Sequence, residues 1–302
     1  MPPLLHSARR LGATGVTVPL VGYGTAPLGK PDVSRAHAVA CLHRAIDLGV
    51  TYLDTSPDYG SEPHVGEVMR ERRGEVFLAT KVNNRSKDGV LNELKTSLLA
   101  LQTDHVDLIQ VHAVNASADL DQALAPDGAV AALEQARQEG LVRFIGITGH
   151  ARPEILAEAL RQYPFDTVLC ALGMPDHLVT APDRFLLPVA QEKNAGVVAM
   201  KVYGHGTITY RSLALRYSLG LPGVSLAILG MKAIEEIEDN VTLANQVRPL
   251  DEREEEILIG EVRDLVEKDA QESQEGKSDL FWLHDTTVMG WKQQDEPALV
   301  AY

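Results

Sequence analysis

The sequence predicts an α/β fold of the (β/α)8 TIM-barrel class, and three observations lead to that class. Eight short runs of apolar and β-branched residues recur along the chain. Amphipathic segments of roughly 10–16 residues separate them, and their apolar positions follow helical spacing. The chain has 302 residues, 45% of them hydrophobic, which is enough to build one such barrel around a buried core.

The eight runs are predicted to be the strands of the barrel. Strands that alternate with helices pair in parallel through right-handed crossovers, and an eightfold repeat of that unit closes into a barrel. In chain order, the predicted strands are Leu20–Thr25, Thr51–Asp54, Val76–Lys81, Val106–His112, Val142–Thr148, Thr167–Ala171, Gly196–Val202 and Val224–Leu229.

Helices are predicted between the strands wherever apolar residues recur with helical spacing. The clearest begins at Ser34 and ends at Leu48, with Gly49 positioned as its C-terminal cap. Its apolar face carries Val39, Leu42, Ala45 and Ile46. The same pattern covers Lys87–Leu101, Gly128–Glu139 and Pro153–Arg161.

Two segments lie outside the eight units. Residues 8–19 are predicted to form a short hairpin that turns at Ala13-Thr14-Gly15 and plugs the N-terminal end of the barrel. Residues 251–269 are predicted to form a charged helix, followed by a polar loop over Gln271–Lys277 and a tail. The predicted apolar stripe of that helix contains Ile257, Ile259, Val262, Leu265 and Val266, and the tail contains Phe281, Trp282 and Trp291.

The domain organisation follows from these elements. No stretch is long or flexible enough to mark a linker, so one domain is predicted over residues 1–302, with a barrel core at about 20–247 and a C-terminal helix and tail over 251–302. The alternative fold is an open doubly wound sheet, for which a Gly-x-Gly-x-x-Gly turn is expected after the first strand. Gly22-Tyr23-Gly24 lies within the first strand and no third glycine follows in register.

Composition limits the partners of the chain. The formal net charge of −14 argues against nonspecific binding to nucleic acid, because the phosphates would be repelled. No apolar run reaches the length of about 18 residues that a membrane-spanning helix needs, and the N-terminus lacks the apolar core of a signal peptide. Two cysteines do not make a disulfide framework, so a reducing, cytoplasmic location is expected.

Polar side chains end three successive predicted strands, at the face where a barrel of this kind carries its site. Asp54 ends the second strand, Lys81 the third and His112 the fourth, and Tyr59 lies on the loop after Asp54. Each of them alone has a structural interpretation, such as a helix cap, a half-buried phenol or a hydrogen-bonded interior imidazole. Together they would make a poor core, and Asp54 and Lys81 provide each other with a partner for a buried charge.

This set of side chains suits the reduction of a carbonyl group, which needs a hydride on carbon and a proton on oxygen. Tyr59 is the predicted general acid, and the base in the reverse direction, because the Lys81 ammonium would lower the pKa of its phenol. Asp54 would orient Lys81, and His112 would donate a hydrogen bond to the substrate oxygen. The hydride requires a cofactor, since no side chain can supply it.

Five stretches of the chain form a recognisable set: RRLGATGVTVPLVGYGTAPLG at 9–29, AIDLGVTYLDTSPDYGSEPHVGEVM at 45–69, FLATKV at 77–82, HVDLIQVH at 105–112 and GLVRFIGITGH at 140–150. They resemble the aldo-keto reductase superfamily, and the resemblance covers residues 8–247 in order. It implies that the family's catalytic Asp, Tyr, Lys and His correspond to Asp54, Tyr59, Lys81 and His112. It also implies NADP(H) extended across the barrel mouth, a small carbonyl or alcohol substrate, and usually no metal.

The resemblance extends to the cofactor site with several departures. The family's Ser-Asn after the fifth strand, which contacts the nicotinamide amide, is replaced by Thr148-Gly149-His150, and the Gln of the sixth strand by Leu169. After the seventh strand, Tyr203 is the candidate for the aromatic residue that stacks on the nicotinamide. Lys201 stands in the same segment, at a position where a lysine is unusual for the family. The residues expected at the cofactor are Gly24, Thr25, Asp54, Thr148, Gly149, His150, Lys201, Tyr203, Gly230, Met231, Lys232, Glu236 and Asn240.

The segment after the eighth strand bears on the choice between NADP and NAD. Where the family has an Arg that grips the 2′-phosphate of NADP, this chain has Glu236, which would repel a phosphate and suits a bare ribose hydroxyl. Lys232 would compensate for that charge, and Asn240 corresponds to the adenine-binding position. NADP is the cofactor that the family implies, with NAD as the alternative.

The predicted function is NAD(P)H-dependent reduction of an aldehyde or ketone, or the reverse oxidation of an alcohol or sugar. The alternative is a nicotinamide-nucleotide-binding sensor or regulatory subunit with little turnover. A metal-dependent barrel hydrolase is disfavoured, because no His and Asp ligands with metal spacing lie at the predicted strand ends. The residues expected around the substrate are Tyr23, Tyr59, His112 and His205, with Ala113–Pro126, Trp282 and Trp291 as further candidate walls.

Overall fold

The computed structural model describes residues 4–150, 152–273, 280 and 283, and within them it has the predicted barrel. The barrel strands are β3 (Val21–Gly24), β4 (Tyr52–Asp54), β5 (Phe77–Val82), β6 (Val106–Val111), β7 (Val142–Gly149), β8 (Thr167–Ala171), β9 (Gly196–Met200) and β10 (Val224–Gly230). A hairpin of β1 (Ala8–Arg10) and β2 (Thr17–Pro19) precedes them. Each barrel strand pairs in parallel with the next, and β10 closes the ring on β3. The fold class and all eight strands are confirmed, with ends that differ from the prediction by at most two residues.

Helices cover the outside of the barrel. They are α1 (Arg35–Asp47), α2 (Glu62–Arg72), α3 (Lys87–Ala100), α4 (Ser117–Leu124), α5 (Ala129–Gln138), α6 (Pro153–Gln162), α7 (Met174–Val179), α8 (Pro182–Phe185), α9 (Leu187–Glu192), α10 (Arg211–Gly220), α11 (Ile234–Ala244) and α12 (Glu252–Ser273). Ser34 and Ser86 are the N-cap residues of α1 and α3, because each hydroxyl accepts a hydrogen bond of 3.3 Å from a backbone N–H of the first turn. Across the described ranges, no helix combines the length and the apolar character that a membrane crossing requires.

The alternation of side chains along the strands separates two buried layers. The outer layer lies between the strands and the helices, and it forms the largest apolar cluster of the described chain. The inner layer fills the barrel, where the rings of Tyr52 and Phe77 stack with centroids 5.1 Å apart and those of Phe77 and Phe144 lie 6.2 Å apart. Leu169 belongs to this inner layer. The apolar filling leaves the polar side chains gathered at the C-terminal mouth.

The hairpin plugs the N-terminal end of the barrel, as predicted. Leu11 and Val18 are buried in the same inner cluster as the aromatic rings. Arg9 attaches the hairpin to the barrel, because its guanidinium donates to the carbonyl oxygens of Leu219 (2.7 Å) and Val224 (2.8 Å). These buried contacts hold the hairpin against the N-terminal end of the barrel.

The C-terminal helix differs in detail from the prediction. α12 packs against α7 and α10 through Leu258, Val262 and Val266, whereas Ile257, assigned to the buried stripe, is 37% exposed. Leu258, Val262 and Val266 are spaced by four residues, so they lie on one side of the helix and form a single narrow contact with the barrel helices. The helix also continues to Ser273, into the segment predicted as a polar loop. Phe281, Trp282 and Trp291 lie outside the described residues.

Candidate active site

A buried ion pair forms the base of the polar mouth. Asp54 ends β4 and Lys81 lies near the end of the neighbouring strand β5, and each side chain is 1% exposed. The Lys81 ammonium contacts Oδ1 of Asp54 and donates a hydrogen bond of 2.8 Å to the carbonyl oxygen of Thr55. Burial lowers the pKa of Lys81, but the Asp54 carboxylate and Tyr59 outweigh burial, so the net pKa lies above its usual value. Lys81 is therefore a charged ammonium at neutral pH.

Gln110 is a member of the site that the sequence analysis missed. Its Nε2 donates a hydrogen bond of 2.9 Å to Oδ2 of Asp54, so that both carboxylate oxygens are occupied. Its Oε1 is buried and has no hydrogen-bond partner among the described residues. The signal that could have found it is the alternation of β6, in which residues 108, 110 and 112 all point into the barrel.

Tyr59 lies on a 3-10 turn, Pro57–Tyr59, that follows β4. Gly60 ends that turn with a φ of +74°, and the Lys81 ammonium lies 4.7 Å from the centroid of the Tyr59 ring. Burial raises the pKa of Tyr59, whereas Lys81 lowers it, and the net pKa is above its ordinary value. Lys81 thus acts on the Tyr59 pKa in the expected direction, but desolvation of the phenolate is the larger effect and sets the direction of the net shift.

His112 directly follows β6, and its ring meets the edge of the Tyr59 ring with centroids 6.2 Å apart. Its backbone is fixed by a hydrogen bond from its N–H to Val82 (3.0 Å) and by Arg85, which donates to its carbonyl oxygen (2.5 Å). Nδ1 lies 2.7 Å from Oδ1 of Asn83. Burial and then the Lys81 charge lower the pKa of His112 to about 3, so the imidazole is neutral at physiological pH. The structure thus brings Asp54, Tyr59, Lys81 and His112 together at one mouth.

Thr148, near the end of β7, and His150, directly after it, add further polar side chains at this end of the barrel. Thr148 Oγ1 accepts a hydrogen bond of 2.8 Å from the N–H of Ala113, and the N–H of His150 donates 2.9 Å to Oδ1 of Asn115. The His150 ring is 9% exposed, and neither of its nitrogens has a partner among the described residues. Burial, followed by the nearby cations, lowers its pKa well below the usual value, so it is a neutral imidazole with one donor and one acceptor unused.

Tyr203 and Asn240 contact each other and are held in place by Arg211. The Tyr203 hydroxyl and the Arg211 guanidinium donate to Oδ1 of Asn240 over 2.8 and 2.9 Å. Asn240 is 1% exposed, so the structure does not support the expected adenine contact, because its acceptor oxygen already serves two internal donors. The Arg211 guanidinium lies 4.9 Å from the Tyr203 ring centroid, and the Tyr203 side chain also packs against two apolar clusters, so the expected stacking on a nicotinamide stays a prediction.

Lys201 and His205 follow β9 on a loop with unusual backbone angles. Both have positive φ values, of 60° and 58°. Burial lowers the pKa of Lys201 to about 8, and the Asp176 carboxylate partly opposes that shift. His205 is exposed on the loop after Tyr203. Both residues therefore follow the C-terminal end of a barrel strand, where the sequence placed them.

Tyr23 and Thr25 are not available at the mouth, contrary to the sequence-based expectation. Tyr23 is fully buried in the outer layer, and its hydroxyl donates a hydrogen bond of 2.8 Å to the carbonyl oxygen of Met231. Thr25 is also fully buried, and its hydroxyl donates to the carbonyl oxygen of Asp54 (3.1 Å) and contacts Ser61. The alternation of β3 explains Tyr23, because its neighbours Gly22 and Gly24 are the residues that face inward.

Gly230 ends β10, and Met231 and Lys232 lie in the loop between β10 and α11. The Glu236 carboxylate of α11 folds back onto this loop, where Oε2 accepts hydrogen bonds from the N–H groups of Lys232 (2.7 Å) and Ala233 (3.3 Å). Lys232 Nζ lies 3.7 Å from the Asp32 carboxylate, and both side chains are mostly exposed. A carboxylate thus occupies the helix N-terminus that would otherwise be free for an anion.

One buried polar group near the mouth has hydrogen-bonding capacity that the described residues leave unused. A carboxamide carries one acceptor oxygen and an NH2 donor, and the buried His150 ring has one unused donor and one unused acceptor. Gly149 is required beside it, because a Cβ there would lie 2.7 Å from the carbonyl oxygen of Val114. Within the described part of the chain, no three His, Cys, Asp or Glu side chains converge as metal ligands.

Comparison with known proteins agrees with this geometry. The model of the aldo/keto reductase family matches residues 20–213. The L-galactose dehydrogenase of Arabidopsis thaliana is 30% identical over 293 residues, and the match covers 80% of this chain and 89% of that protein. A solved holo form of an aldo-keto reductase from Bacillus halodurans is 25% identical, with a TM-score of 0.72 and coverage of 85% of this chain and 95% of its own. An aldo-keto reductase from Klebsiella pneumoniae, solved in complex with NADPH, shares the fold at 23% identity, with a TM-score of 0.71 and coverage of 84% and 94%.

Proposed function

Since the chain belongs to the aldo/keto reductase family, a family of oxidoreductases, we propose that it interconverts an aldehyde or ketone and the corresponding alcohol with a nicotinamide nucleotide. One observation carries this proposal. The Lys81 ammonium, which pairs with Asp54, lies 4.7 Å from the centroid of the Tyr59 ring. The same ring contacts His112. That arrangement is a proton donor with its charge-stabilising partner, placed at the open end of the barrel.

The proton chemistry follows from the protonation states. Tyr59 carries its proton at neutral pH because burial raises its pKa. A reduced nicotinamide, when bound, supplies the hydride that no side chain can provide. Tyr59 gives its proton to the carbonyl oxygen, and Lys81 stabilises the phenolate that remains. Asp54 and Gln110 keep Lys81 charged and oriented, since Asp54 contacts both of them. In the reverse direction, the phenolate of Tyr59 takes the alcohol proton.

The cofactor is proposed to be NADP(H), with NAD(H) as the alternative. The NADPH complex of the Klebsiella pneumoniae relative supports NADP(H). Glu236 favours NAD(H), because its carboxylate would face the 2′-phosphate and already occupies two N–H groups of the loop. We propose that His150 holds the nicotinamide carboxamide and that the loop 230–232 holds the nucleotide end. Two free thiols, Cys41 and Cys170, suit the cytoplasm as the location of a small-molecule reaction.

The test removes the Tyr59 hydroxyl. We expect Tyr59→Phe to lose at least about 100-fold in kcat, the usual range for a general acid, and to bind NADPH with unchanged affinity. Turnover of a panel of aldehydes is followed by NADPH oxidation, and binding by quenching of protein fluorescence. Tyr163→Phe is the matched control, because Tyr163 is a partly buried phenol on the outside of the barrel that contacts Glu134.

Two results would contradict the proposal. Wild-type turnover by Tyr59→Phe would remove that phenol as the acid. Tight NADPH binding by the wild-type chain without oxidation by any aldehyde would favour the sensor or regulatory alternative.

A further inference from the structure

We propose that a cleft at the N-terminal end of the barrel, opposite the polar mouth, binds a small organic phosphate monoester. This basal cleft has a volume of about 590 Å3 and is lined by Arg9, Arg10, Arg216 and Arg248. It lies between the hairpin strand β1, the end of α10, the start of β10 and the segment that joins α11 to α12. The proposal does not depend on the function proposed above, because the start of β10 and the catalytic strand ends lie at opposite ends of the barrel.

Arg9 is held in position with part of its guanidinium unused. Its Nη1 donates to the carbonyl oxygens of Leu219 (2.7 Å) and Val224 (2.8 Å), which accounts for both hydrogens of that nitrogen. The N–H groups of Nε and Nη2 have no hydrogen-bond partner among the described residues. That edge of a guanidinium carries two parallel N–H groups, which can bind two oxygens of a phosphate or carboxylate. Arg9 is therefore a pre-oriented donor for an oxyanion.

The electrostatic surroundings of Arg9 also lack an anion. Burial lowers the pKa of Arg9, and no carboxylate opposes that effect. The guanidinium is thus partly removed from water while its only partners are neutral carbonyl oxygens. An anion in the basal cleft would stabilise this charge.

Arg10 supplies a second charge without a counter-ion. Its backbone is fixed, because the buried Ser225 hydroxyl donates a hydrogen bond of 2.9 Å to its carbonyl oxygen. Its guanidinium is exposed and forms no hydrogen bond or ion pair with any residue that the structure describes. Arg10 also lines an adjoining cleft, together with Gln191 and Asn194. Its side chain can therefore turn toward an anion in the basal cleft without giving up another described contact.

The other two arginines of the basal cleft already share a carboxylate. Glu254 accepts two hydrogen bonds from Arg216 (2.8 and 2.5 Å) and two from Arg248 (3.0 and 2.6 Å), and Asp251 also acts on Arg216. No Asp or Glu is among the described residues that line the cleft itself. The positive charge of the two hairpin arginines is thus left over, in a chain whose formal net charge is −14.

The charge and the walls of the basal cleft indicate the class of ligand. Two uncompensated guanidiniums match a phosphate monoester, which carries a charge of about −1.5 to −2 at pH 7 and three acceptor oxygens, better than a singly charged carboxylate. Leu219, Leu221, Val247 and Pro249 line the remainder of the cleft. These apolar side chains can cover an apolar or aromatic body, and the volume is within the range of small-molecule sites.

The test is calorimetric titration of the full chain with phenyl phosphate, inorganic phosphate and benzoate. We expect phenyl phosphate to have a Kd at least about 10-fold lower than either of the others, since only it combines the dianion with the ring. Absence of phenyl phosphate binding at millimolar concentration would overturn the site. A Kd for inorganic phosphate or benzoate as low as that for phenyl phosphate would overturn the ligand class.

Variants of the two hairpin arginines locate the binding. Arg9→Lys keeps the charge but loses the two parallel N–H groups, and Arg10→Met loses the charge, so each should raise the Kd for phenyl phosphate about 10-fold. Arg70→Met is the matched control, because Arg70 is an exposed arginine of α2 that does not line the basal cleft. It should leave the Kd unchanged.

Two further comparisons keep the proposal open to contradiction. If Arg9→Lys fails to fold because Arg9 attaches the hairpin, Arg10→Met decides, and a Kd equal to that of Arg70→Met would contradict the proposal. Lys232→Met removes an exposed cation beside the polar mouth and should also leave the Kd unchanged. Weaker binding by Lys232→Met, with wild-type binding by Arg10→Met, would place phenyl phosphate at the mouth and overturn the basal site.

The fold of each variant is checked by its far-ultraviolet circular dichroism spectrum and by its urea unfolding curve.

Discussion

Gly29 lies so close to Tyr59 that a Cβ on Gly29 would be 1.9 Å from the carbonyl oxygen of Tyr59. Gly29 ends a 3-10 turn after β3, and that turn packs against the turn that carries the phenol. The same hypothetical Cβ would be 2.8 Å from Gly60 and Ser61 backbone atoms. The position of the Tyr59 phenol therefore depends on a contact between two backbones that no side chain can enter.

The first prediction is that Gly29→Ala impairs catalysis without unfolding the barrel. The methyl group must displace the backbone of Tyr59, and a displacement of about 1 Å can cost about 100-fold in rate. We expect kcat/KM for aldehyde reduction to fall by about that factor, with an unchanged far-ultraviolet circular dichroism spectrum. Gly220→Ala is the control, because no atom lies within 4 Å of its Cβ position. Equal activities of the two variants would contradict the prediction.

The second prediction concerns pH. The pKa of Tyr59 is raised by burial, so reduction, which uses the protonated phenol, should be flat in kcat across neutral pH and fall only above that pKa. Oxidation uses the phenolate and should rise about tenfold per pH unit over the same range. The pKa of His112 is lowered to about 3, so no inflection is expected near the usual histidine value. Steady-state rates in both directions between about pH 6 and 9 test this. An oxidation rate independent of pH would be inconsistent with it.

The third prediction separates stability from activity at the ion pair. Lys81→Met leaves the Asp54 carboxylate buried without its cation and should cost about 3–5 kcal/mol in the free energy of unfolding, measured with urea. Asp54→Leu combined with Lys81→Met should recover much of that loss, because no buried charge remains. Neither variant should reduce aldehydes.

The control for this prediction is an exposed pair. Arg35 contacts Glu67 on the surface, with side chains 65% and 37% exposed, and Arg35→Met should cost less than about 1 kcal/mol. A double variant at Asp54 and Lys81 that is no more stable than Lys81→Met would indicate that packing, and not the unpaired charge, dominates the loss.

The fourth prediction concerns the choice between NADPH and NADH. Glu236→Arg replaces the carboxylate that occupies the loop N–H groups with a cation. We expect the ratio of the Kd for NADPH to the Kd for NADH to fall by about 10- to 100-fold, the range of a charge-assisted hydrogen bond. Loss of the cap should also lower stability by about 1 kcal/mol.

Glu236→Gln is the matched variant, because its amide oxygen can still accept from Lys232 and Ala233. It should keep the stability of the wild type and show an intermediate ratio of Kd values in a fluorescence titration. If the ratio is the same in all three chains, Glu236 does not face the ribose of the adenosine moiety.

The strands and the polar mouth could be predicted because they depend on short-range patterns. The eight runs of apolar and β-branched residues correspond to the eight strands of the barrel. The end of each strand can be located from the sequence, because it is where the run ends. Asp54, Lys81 and His112 lie at or next to the C-terminal ends of neighbouring parallel strands, so their convergence followed from the barrel itself. Leu258 on α12 shows the limit of such patterns, since the stripe of a helix with several apolar residues depends on the surface it meets.

Contacts between distant segments could not be predicted in this way. Gln110 is 56 residues from Asp54, and no local pattern distinguishes an interior glutamine that donates to a carboxylate from any other. The wrong face was predicted for Tyr23, because the alternation of β3 does not show which set of side chains faces inward until the strand is paired within the barrel.

Periodicity and strand-end chemistry in the one-dimensional chain were thus sufficient for the barrel and for the four side chains at its mouth. The protonation states, the orientation of the amides and the residues that support the mouth were decided only by folding. The physical reason is that hydrogen bonding and desolvation act over a few ångströms in space, between groups that the chain separates by tens of residues.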